Sequence, residues 1–549
     1  MSLRTVVQAI EDAAASTKTG YRFVDETNDA EPFFTHAGVE RQSARFGGAL
    51  QALGAKKGDR VALILPDNTD FVFAFLGAIR AGIGPVPIYP PTGLGKLAGY
   101  LENTLHIVDK SGAKLCLTST EIKRMLGSVQ AKAPRLEKVV AVETLRAARE
   151  ELRTVKVDLD DVAFLQFTSG STSRPKGVVL THGNLAANVR AIMEQGLAAR
   201  DGVDSGVSWL PLYHDMGLIG CLLGAASYPG PLVLLPPENF LARPALWLRA
   251  LARHRGTISA APHFAYAHAA DRVRDEDMEG CSLASWRIAL DGAEPVTAGA
   301  LRRFADRFSR FGFDPGALMP VYGLSEASLA VTFSPRGRAP LTERIDPEAL
   351  LSGRVESGDR EVVSVGAPIP GVEVEVRGAE GEPLGERRLG RIHVRGPSLM
   401  QGYLGDLAAT GRALRDGWLD TGDLGFHADG ELFVHGRSKD LVIVRGANHA
   451  PDEFEACLGA IEGLRPGCVA ALGFVPPGGD GEELLILAER LRASRADPAL
   501  LEEAVREAVS SRTGVRPHTV RILEPGTLPR TSSGKMRRGE ALRRFQAGG

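Results

Sequence analysis

Apolar positions in the first third of the chain fall into short unbroken runs separated by helical patterns. RVALILP (60–66) reads as a strand, DFVFAFLGAIRAG (70–82) as a helix and GPVPIYPP (84–91) as a second strand. AKLCLT (113–118), KVVAV (138–142) and AFLQFTSG (163–170) continue the series, with helices between. This alternation predicts a mostly parallel sheet covered by helices. Further on, VEVEVRG (372–378), GRIHVRGP (390–397) and GELFVHGR (430–437) alternate polar and apolar positions, the pattern of half-buried antiparallel strands. The pattern changes again after a helix around Pro451–Ile461. VAALGF (469–474), ELLILAE (483–489), a helix from Pro498 and VRILE (520–524) predict a small α+β unit of about one hundred residues, a common domain size. The expected fold class is α/β and α+β: a large amino-terminal domain of helix-covered sheets plus a β-rich subdomain, then a small carboxy-terminal α+β domain.

The longest uncharged run, Met216–Pro237, has the length of a membrane span. Pro229, Gly230 and Pro231 interrupt it, so a buried helix, a turn and the strand LVLL fit better, and no integral membrane segment is expected. The amino-terminal segment looks amphipathic and carries acidic residues, unlike a signal peptide. Five cysteines without a CxxC pair or a His/Cys cluster read as small apolar residues in a reducing, cytoplasmic compartment. The 65 basic residues nearly balance the 67 acidic ones, which argues against nucleic acid as a partner. Those basic residues are 13 lysines and 52 arginines, and beyond Lys156 only Lys176, Lys439 and Lys535 remain. Arginine does not replace lysine where a compact, swinging ammonium is needed.

Candidate chemistry clusters in six places. Thr168-Ser169-Gly170-Ser171-Thr172-Ser173-Arg174-Pro175-Lys176-Gly177 follows an apolar strand. Its small and hydroxyl residues let backbone N–H groups close on phosphate oxygens, and Lys176 adds a point charge. It is not a Walker loop, because GxxxxGK[ST] is absent. In Trp209–Leu218, His214 and Asp215 sit among aromatic and apolar residues; His214 fits either a core position or a substrate pocket. Asp291-Gly292-Ala293-Glu294-Pro295 and Tyr322-Gly323-Leu324-Ser325-Glu326 offer an aromatic face beside glycines for a purine, and a carboxylate next to a hydroxyl for Mg²⁺. Asp423, in Trp418–Gly425, can accept both hydroxyl protons of a ribose, and Arg437 can donate to the same sugar. The sixth place is the Gly/Ser loop Pro529–Lys535.

In this order the six motifs resemble the adenylate-forming superfamily: acyl-CoA synthetases, nonribosomal peptide synthetase adenylation domains and beetle luciferases. The match runs from about residue 20 to 540. The resemblance implies an amino-terminal domain at 1–436 and a mobile carboxy-terminal domain at 437–549, with Lys439 at the hinge and the active site between them. It implies ATP and Mg²⁺. The loop at 168–177, including Thr168, Ser169, Gly170, Ser171, Thr172 and Lys176, would hold the β- and γ-phosphates. Gly292, Ala293, Glu294 and Tyr322, with Gly323, Leu324 and Ser325, would surround the adenine of the nucleotide. Glu326 would bind the metal, and Asp423 and Arg437 the ribose. Lys535 would bridge the reacting carboxylate and the α-phosphate, and His214 is the other catalytic candidate. Two positions depart from the common pattern: Ala450 replaces a tyrosine in Asn-His-Tyr-Pro, and Asp291 stands where asparagine is commoner.

WLPLYHDMGLIG, DGAEPV, YGLSEASLAVTF and GELFVHGRSKDLVIVRGAN are most similar to the fatty acyl-AMP ligases. That branch carries an insertion thought to disfavour CoA, and the polar stretch at about 333–363 matches it in place. His214, Asp215 and Met216 are then candidates for the acyl pocket. The resemblance implies that a fatty acid is activated to acyl-AMP with release of pyrophosphate. The acyl group would pass to the phosphopantetheine thiol of a separate holo-acyl carrier protein, or of a polyketide or nonribosomal synthetase carrier domain. Only 14 residues follow Lys535, so a fused carrier is not expected. A fatty acyl-CoA ligase is the alternative, with CoA the less favoured acceptor. A non-catalytic module binding nucleotide or acyl-adenylate is a second, and Lys535, Glu326 and Asp423 argue against it.

Overall fold

A computed structural model describes residues 3–24, 31–91, 97–168, 174–200, 202–444, 447–459, 461–476, 481–531 and 534–548. The strands Arg60–Ile64, Gly84–Pro87, Leu115–Thr118 and Lys138–Ala141 pair in parallel, with Arg60–Ile64 and Leu115–Thr118 at the centre. Their unbroken apolar runs reflect burial on both faces. A second, nine-stranded sheet has the parallel strands Gly206–Ser208, Ile258–Pro262, Ile288–Gly292 and Leu318–Gly323 in its middle. Val162–Thr168 departs from the expected parallel series. It pairs antiparallel with Lys176–Thr181, which pairs on its other side with Gly402–Tyr403. In that pairing Thr168 and Lys176 stand opposite each other in register.

The uncharged run folds as expected. Met216–Leu223 is a π-helical segment continued by the short helix Gly224–Ser227, and Leu232–Leu234 is a strand. Among the described residues, no helix is long and apolar enough to cross a membrane. The alternating strands Glu373–Arg377, Gly390–Arg395, Trp418–Ala428 and Glu431–Arg437 form an antiparallel sheet. The polar stretch at 333–363 is more ordered than its composition suggests. Thr342–Ile345 and Arg360–Val363 pair antiparallel around the helix Pro347–Leu351. Ile345, Leu350 and Val355 pack with Phe426, Ala428 and Phe433 of the antiparallel sheet.

The carboxy-terminal region has its own interior. Leu464–Phe474, Glu483–Arg490 and Thr519–Leu523 make a three-stranded sheet. Two apolar clusters on it draw only on residues from Val442 onward, whereas the main cluster runs from Val6 to Leu432. The helix Pro498–Thr513 starts at Asp497, whose carboxylate caps it, and ends at Gly514 with φ +70°, the left-handed stop that favours glycine.

Candidate active site

One cleft of about 2270 Å³ takes side chains from the nine-stranded sheet, the strands Val162–Thr168 and Lys176–Thr181, the antiparallel sheet, the polar stretch at 333–363 and the carboxy-terminal region. Thr168, Lys176, His214, Asp215 and Met216 line it, as do Ala293, Glu294, Tyr322, Gly323, Leu324, Ser325 and Glu326. Asp423, Arg437, Lys439 and Lys535 line it as well. Ser169, Gly170, Ser171 and Thr172 lie outside the described residues. Gly292 does not line the cleft; it ends a buried strand, where an added Cβ would come 2.8 Å from Val321 Cγ2. Its place in the motif is therefore one of packing, with Ala293 as the first residue to reach the cavity.

Asp423 is almost fully buried and is held from three directions. Tyr322 donates its hydroxyl to Oδ2 at 2.7 Å, Arg437 Nε lies 3.2 Å from Oδ1, and Thr421 Oγ1 accepts the Asp423 N–H at 3.1 Å. Burial pushes the Asp423 carboxyl up, and the charges of Arg437 and Lys535 with the Tyr322 hydroxyl oppose that. Asp423 in turn pushes the Arg437 guanidinium up. Two carboxylate oxygens gripped at the cleft wall form a ready acceptor for a diol.

Glu326 sits on the single turn after Leu318–Gly323, and its carbonyl accepts the Met400 N–H at 2.8 Å. Its carboxylate Oε1 accepts from the Tyr403 hydroxyl at 2.8 Å. The face of the same Tyr403 ring lies 4.7 Å from Lys176 Nζ, within cation–π range. Burial and the Glu326 charge raise the Tyr403 phenol, so it remains a donor. The described residues hold no cluster of three metal-ligating side chains. A lone carboxylate beside a phosphate loop suits Mg²⁺, which keeps waters and shares its shell with substrate phosphates.

Asp215 uses both oxygens structurally. Oδ1 accepts the Met216 N–H at 2.8 Å, and Oδ2 accepts the Ser325 hydroxyl. Burial holds the neighbouring His214 imidazole down to about 4, with Asp215 opposing and Lys535 adding to the effect. The Lys535 ammonium is thus felt by both His214 and Asp423. Lys439 is also drawn in: burial, Arg437 and Lys176 push its ammonium down. Behind Met216 the cleft continues between Gly220, Cys221, Ala225, Met193 and Leu329. Gln166, on the strand leading to the phosphate loop, donates to the Tyr213 carbonyl at 3.1 Å. Its Oε1 has no hydrogen-bond partner among the described residues.

Three residues at or beside this cleft carry no sequence signal of chemistry. Tyr403 stands in a plain Gly-Tyr-Leu turn. Gln166 is one polar position in an apolar strand. Arg360 is one of several arginines in a polar stretch, yet it reaches Glu453 and Asp452 of the carboxy-terminal region.

Antiparallel strands that set Thr168 opposite Lys176, a buried Asp423 held by Tyr322 and Arg437, and Glu326 and Lys535 on the same cleft fit an adenylate-forming enzyme. Residues 10–404 match the AMP-binding enzymes, and the chain belongs to that family. A protein of Caulobacter vibrioides, whose name places it provisionally among the acyl-CoA synthetases, is 36% identical over 99% of this chain and 96% of its own length. The long-chain-fatty-acid–AMP ligase FadD32 of Mycolicibacterium smegmatis is 34% identical over 95% of this chain and 90% of its own. A solved structure from work on fatty acyl-adenylate ligases of E. coli and L. pneumophila superposes with a TM-score of 0.93 at 34% identity, covering 100% of this chain and 99% of that one. Within the family, these similarities put the chain in the fatty acyl-AMP ligase branch.

Proposed function

We propose that the enzyme activates a fatty acid with ATP and hands the acyl group to the phosphopantetheine thiol of a separate carrier protein. The fatty acid carboxylate attacks the α-phosphorus, a carboxylate O–P bond forms, and the bond to the departing pyrophosphate breaks. Two anions must meet, so positioning and placed positive charge carry the step. Thr168, the loop after it and Lys176 hold the β- and γ-phosphates. Ala293, Glu294 and Tyr322 flank the adenine, and Asp423 with Arg437 holds the ribose. Lys535 bridges the carboxylate and the α-phosphate. Glu326, aligned by Tyr403, would hold Mg²⁺, which supplies charge against the phosphates. The acyl chain runs past His214 and Met216 towards Gly220. Residues 437–549 then turn about Lys439, which removes Lys535 and admits the thiol; its sulfur bonds to the acyl carbon as the acyl C–O bond breaks, and AMP leaves. The stretch at about 333–363 restrains that turn and disfavours CoA. ATP as co-substrate, with five unpaired cysteines, supports a cytoplasmic site of action.

The single observation that carries this reading is the continuity of the polar cleft with the apolar channel behind Met216. The test is a panel of carboxylic acids, with acyl-AMP and thioester products resolved by mass, in the presence of CoA or a holo-carrier protein. Acyl-AMP with fatty acids and transfer to the carrier are expected. Lys535→Ala should lower acyl-AMP formation by about a hundredfold or more. A Lys535→Ala protein adenylating at the wild-type rate would refute the lysine's role. The name of the Caulobacter relative favours a second reading, a fatty acyl-CoA ligase, and rapid acyl-CoA formation would establish it instead.

A further inference from the structure

We infer that His263 is the positioning residue of the adenine loop: one buried imidazole ties Asp291, before the loop, to Thr297, after it. The inference rests on the adenine reading of Ala293–Pro295 proposed above. His263 opens the ten-residue helix His263–Arg272, beside the strand Ile288–Gly292. Its Nδ1 lies 2.7 Å from Asp291 Oδ2. Its Nε2 accepts the Thr297 N–H at 3.1 Å and lies 2.8 Å from Thr297 Oγ1.

A backbone N–H can only donate, so Nε2 carries a lone pair. The ring proton therefore sits on Nδ1 and is given to Asp291. Asp291 is wholly buried, and its other oxygen has no hydrogen-bond partner among the described residues. Among the described residues, His263 is thus the group that meets its charge there. Thr297 occupies the cap position of the helix Ala298–Ser309, yet its side chain makes no capping bond. Threonine is a favoured cap, and here its hydroxyl is turned to the imidazole.

The loop between these two ties needs holding. Ala293 has φ +65°, a left-handed conformation that strains a non-glycine residue and persists only where its surroundings hold it. Glu294 supplies a further tie: its Oε2 accepts the Phe264 N–H at 3.0 Å, in the first turn of the same helix. The start of one helix therefore fixes both ends and the middle of the segment that faces the nucleotide. The charged groups facing His263 are Asp291, Glu294 and Arg303. Burial and Arg303 disfavour a second proton on the ring, and the two carboxylates more than reverse this, so it protonates above the usual imidazole range. Protonation removes the lone pair that Thr297 N–H uses and frees the far end of the loop.

The experiment measures pyrophosphate release at saturating fatty acid, with ATP varied, between about pH 5.5 and 8.5. The wild type, His263→Ala and Asp291→Asn are compared. His263→Ala should raise the KM for ATP about tenfold, with kcat and the KM for the fatty acid within about threefold. In the wild type, the KM for ATP should rise as pH falls. Asp291→Asn keeps an acceptor for Nδ1–H and removes the charge, so that rise should move to lower pH by about one unit. An unchanged KM for ATP in His263→Ala overturns the inference, as does equal loss in every parameter. So does a pH profile of Asp291→Asn that superimposes on the wild type. No turnover by the wild type would overturn the activity reading, and the inference with it; turnover with an unmoved KM overturns the inference alone.

Discussion

Replacing Arg360 with alanine should release the carboxy-terminal region from the arrangement that faces Lys535 into the cleft. Arg360 lies on the second strand of the polar excursion. Its Nη2 donates to Asp452 Oδ2 at 3.1 Å, and its Nη1 is 2.6 Å from Glu453 Oε1, an ion pair without an aligned hydrogen bond. The excursion is anchored on its other side: Glu361 takes both nitrogens of Arg302 at 2.8 and 2.7 Å, and Arg387 reaches Glu343 at 3.0 Å. It therefore straps two parts of the chain together.

The size of the effect follows from Glu453, which is about nine-tenths buried. Burial alone would raise its carboxyl. The hydrogen bond from His449 and the charges of Arg360 and His435 outweigh burial and hold it down to about 2. A fall from 4.5 to about 2 corresponds to about 3 kcal/mol in favour of the charged cluster. The carboxyl is depressed, so this stabilisation is full above about pH 4.5 and is lost as pH falls towards 2; burial holds His435 below the usual imidazole range, so near neutrality its charge is absent while that of Arg360 remains. Arg360 is one of several contributors, so its removal should cost about 1–1.5 kcal/mol, or about five- to twelvefold in the balance between arrangements. The assay is the ratio of acyl-CoA to acyl-AMP with CoA present. Arg360→Ala should raise that ratio by this factor while acyl-AMP formation stays within about threefold of wild type. An unchanged ratio, or a loss of acyl-AMP formation equal to any gain, would refute the strap.

Two further outcomes follow from the cleft. A Cβ at Gly220 would meet only Leu329 Cδ2, at 3.1 Å, so Gly220→Phe should fold and push its ring into the acyl channel; kcat/KM should fall about tenfold for long acids and little for short ones, measured across a chain-length series. Tyr403→Phe keeps the ring under Lys176 and deletes the bond to Glu326, so the Mg²⁺ needed for half-maximal acyl-AMP formation should rise about tenfold in a metal titration while the KM for the fatty acid stays put.

Most of the strands and the order of the chemical motifs are legible in the sequence, because each rests on local pattern. What escapes is pairing at a distance. The run at 163–168 looks like one more parallel strand; only its partner at 176–181 makes it half of an antiparallel pair. The excursion reads as polar because Ile345, Leu350 and Val355 are isolated along the chain, and they become an interior only against Phe426 and Phe433. Tyr403 is silent for the same reason: its hydroxyl and its ring matter through Glu326 and Lys176, far away in sequence. His263 hides in an apolar helix start, and only the fold brings Asp291 and Thr297 to its two nitrogens.

The scarce lysines tie the sequence to the electrostatics. All three beyond Lys156 line the one cleft. Lys439 is pushed down by burial, Arg437 and Lys176, so the cleft crowds like charges in a partly dry place. Crowding of this kind is unfavourable until an anion enters, and a triphosphate reverses its sign. On the reading proposed above, nucleotide binding therefore helps hold residues 437–549 against the rest of the chain. Departure of pyrophosphate removes most of that negative charge. The repulsion among Lys176, Arg437 and Lys439 returns at the moment when Lys535 must leave and a thiol must enter. The strap from Arg360 to Asp452 and Glu453, all three on the wall of the same cleft, opposes that movement, so the balance of the two sets how readily the second half-reaction accepts a free thiol such as CoA.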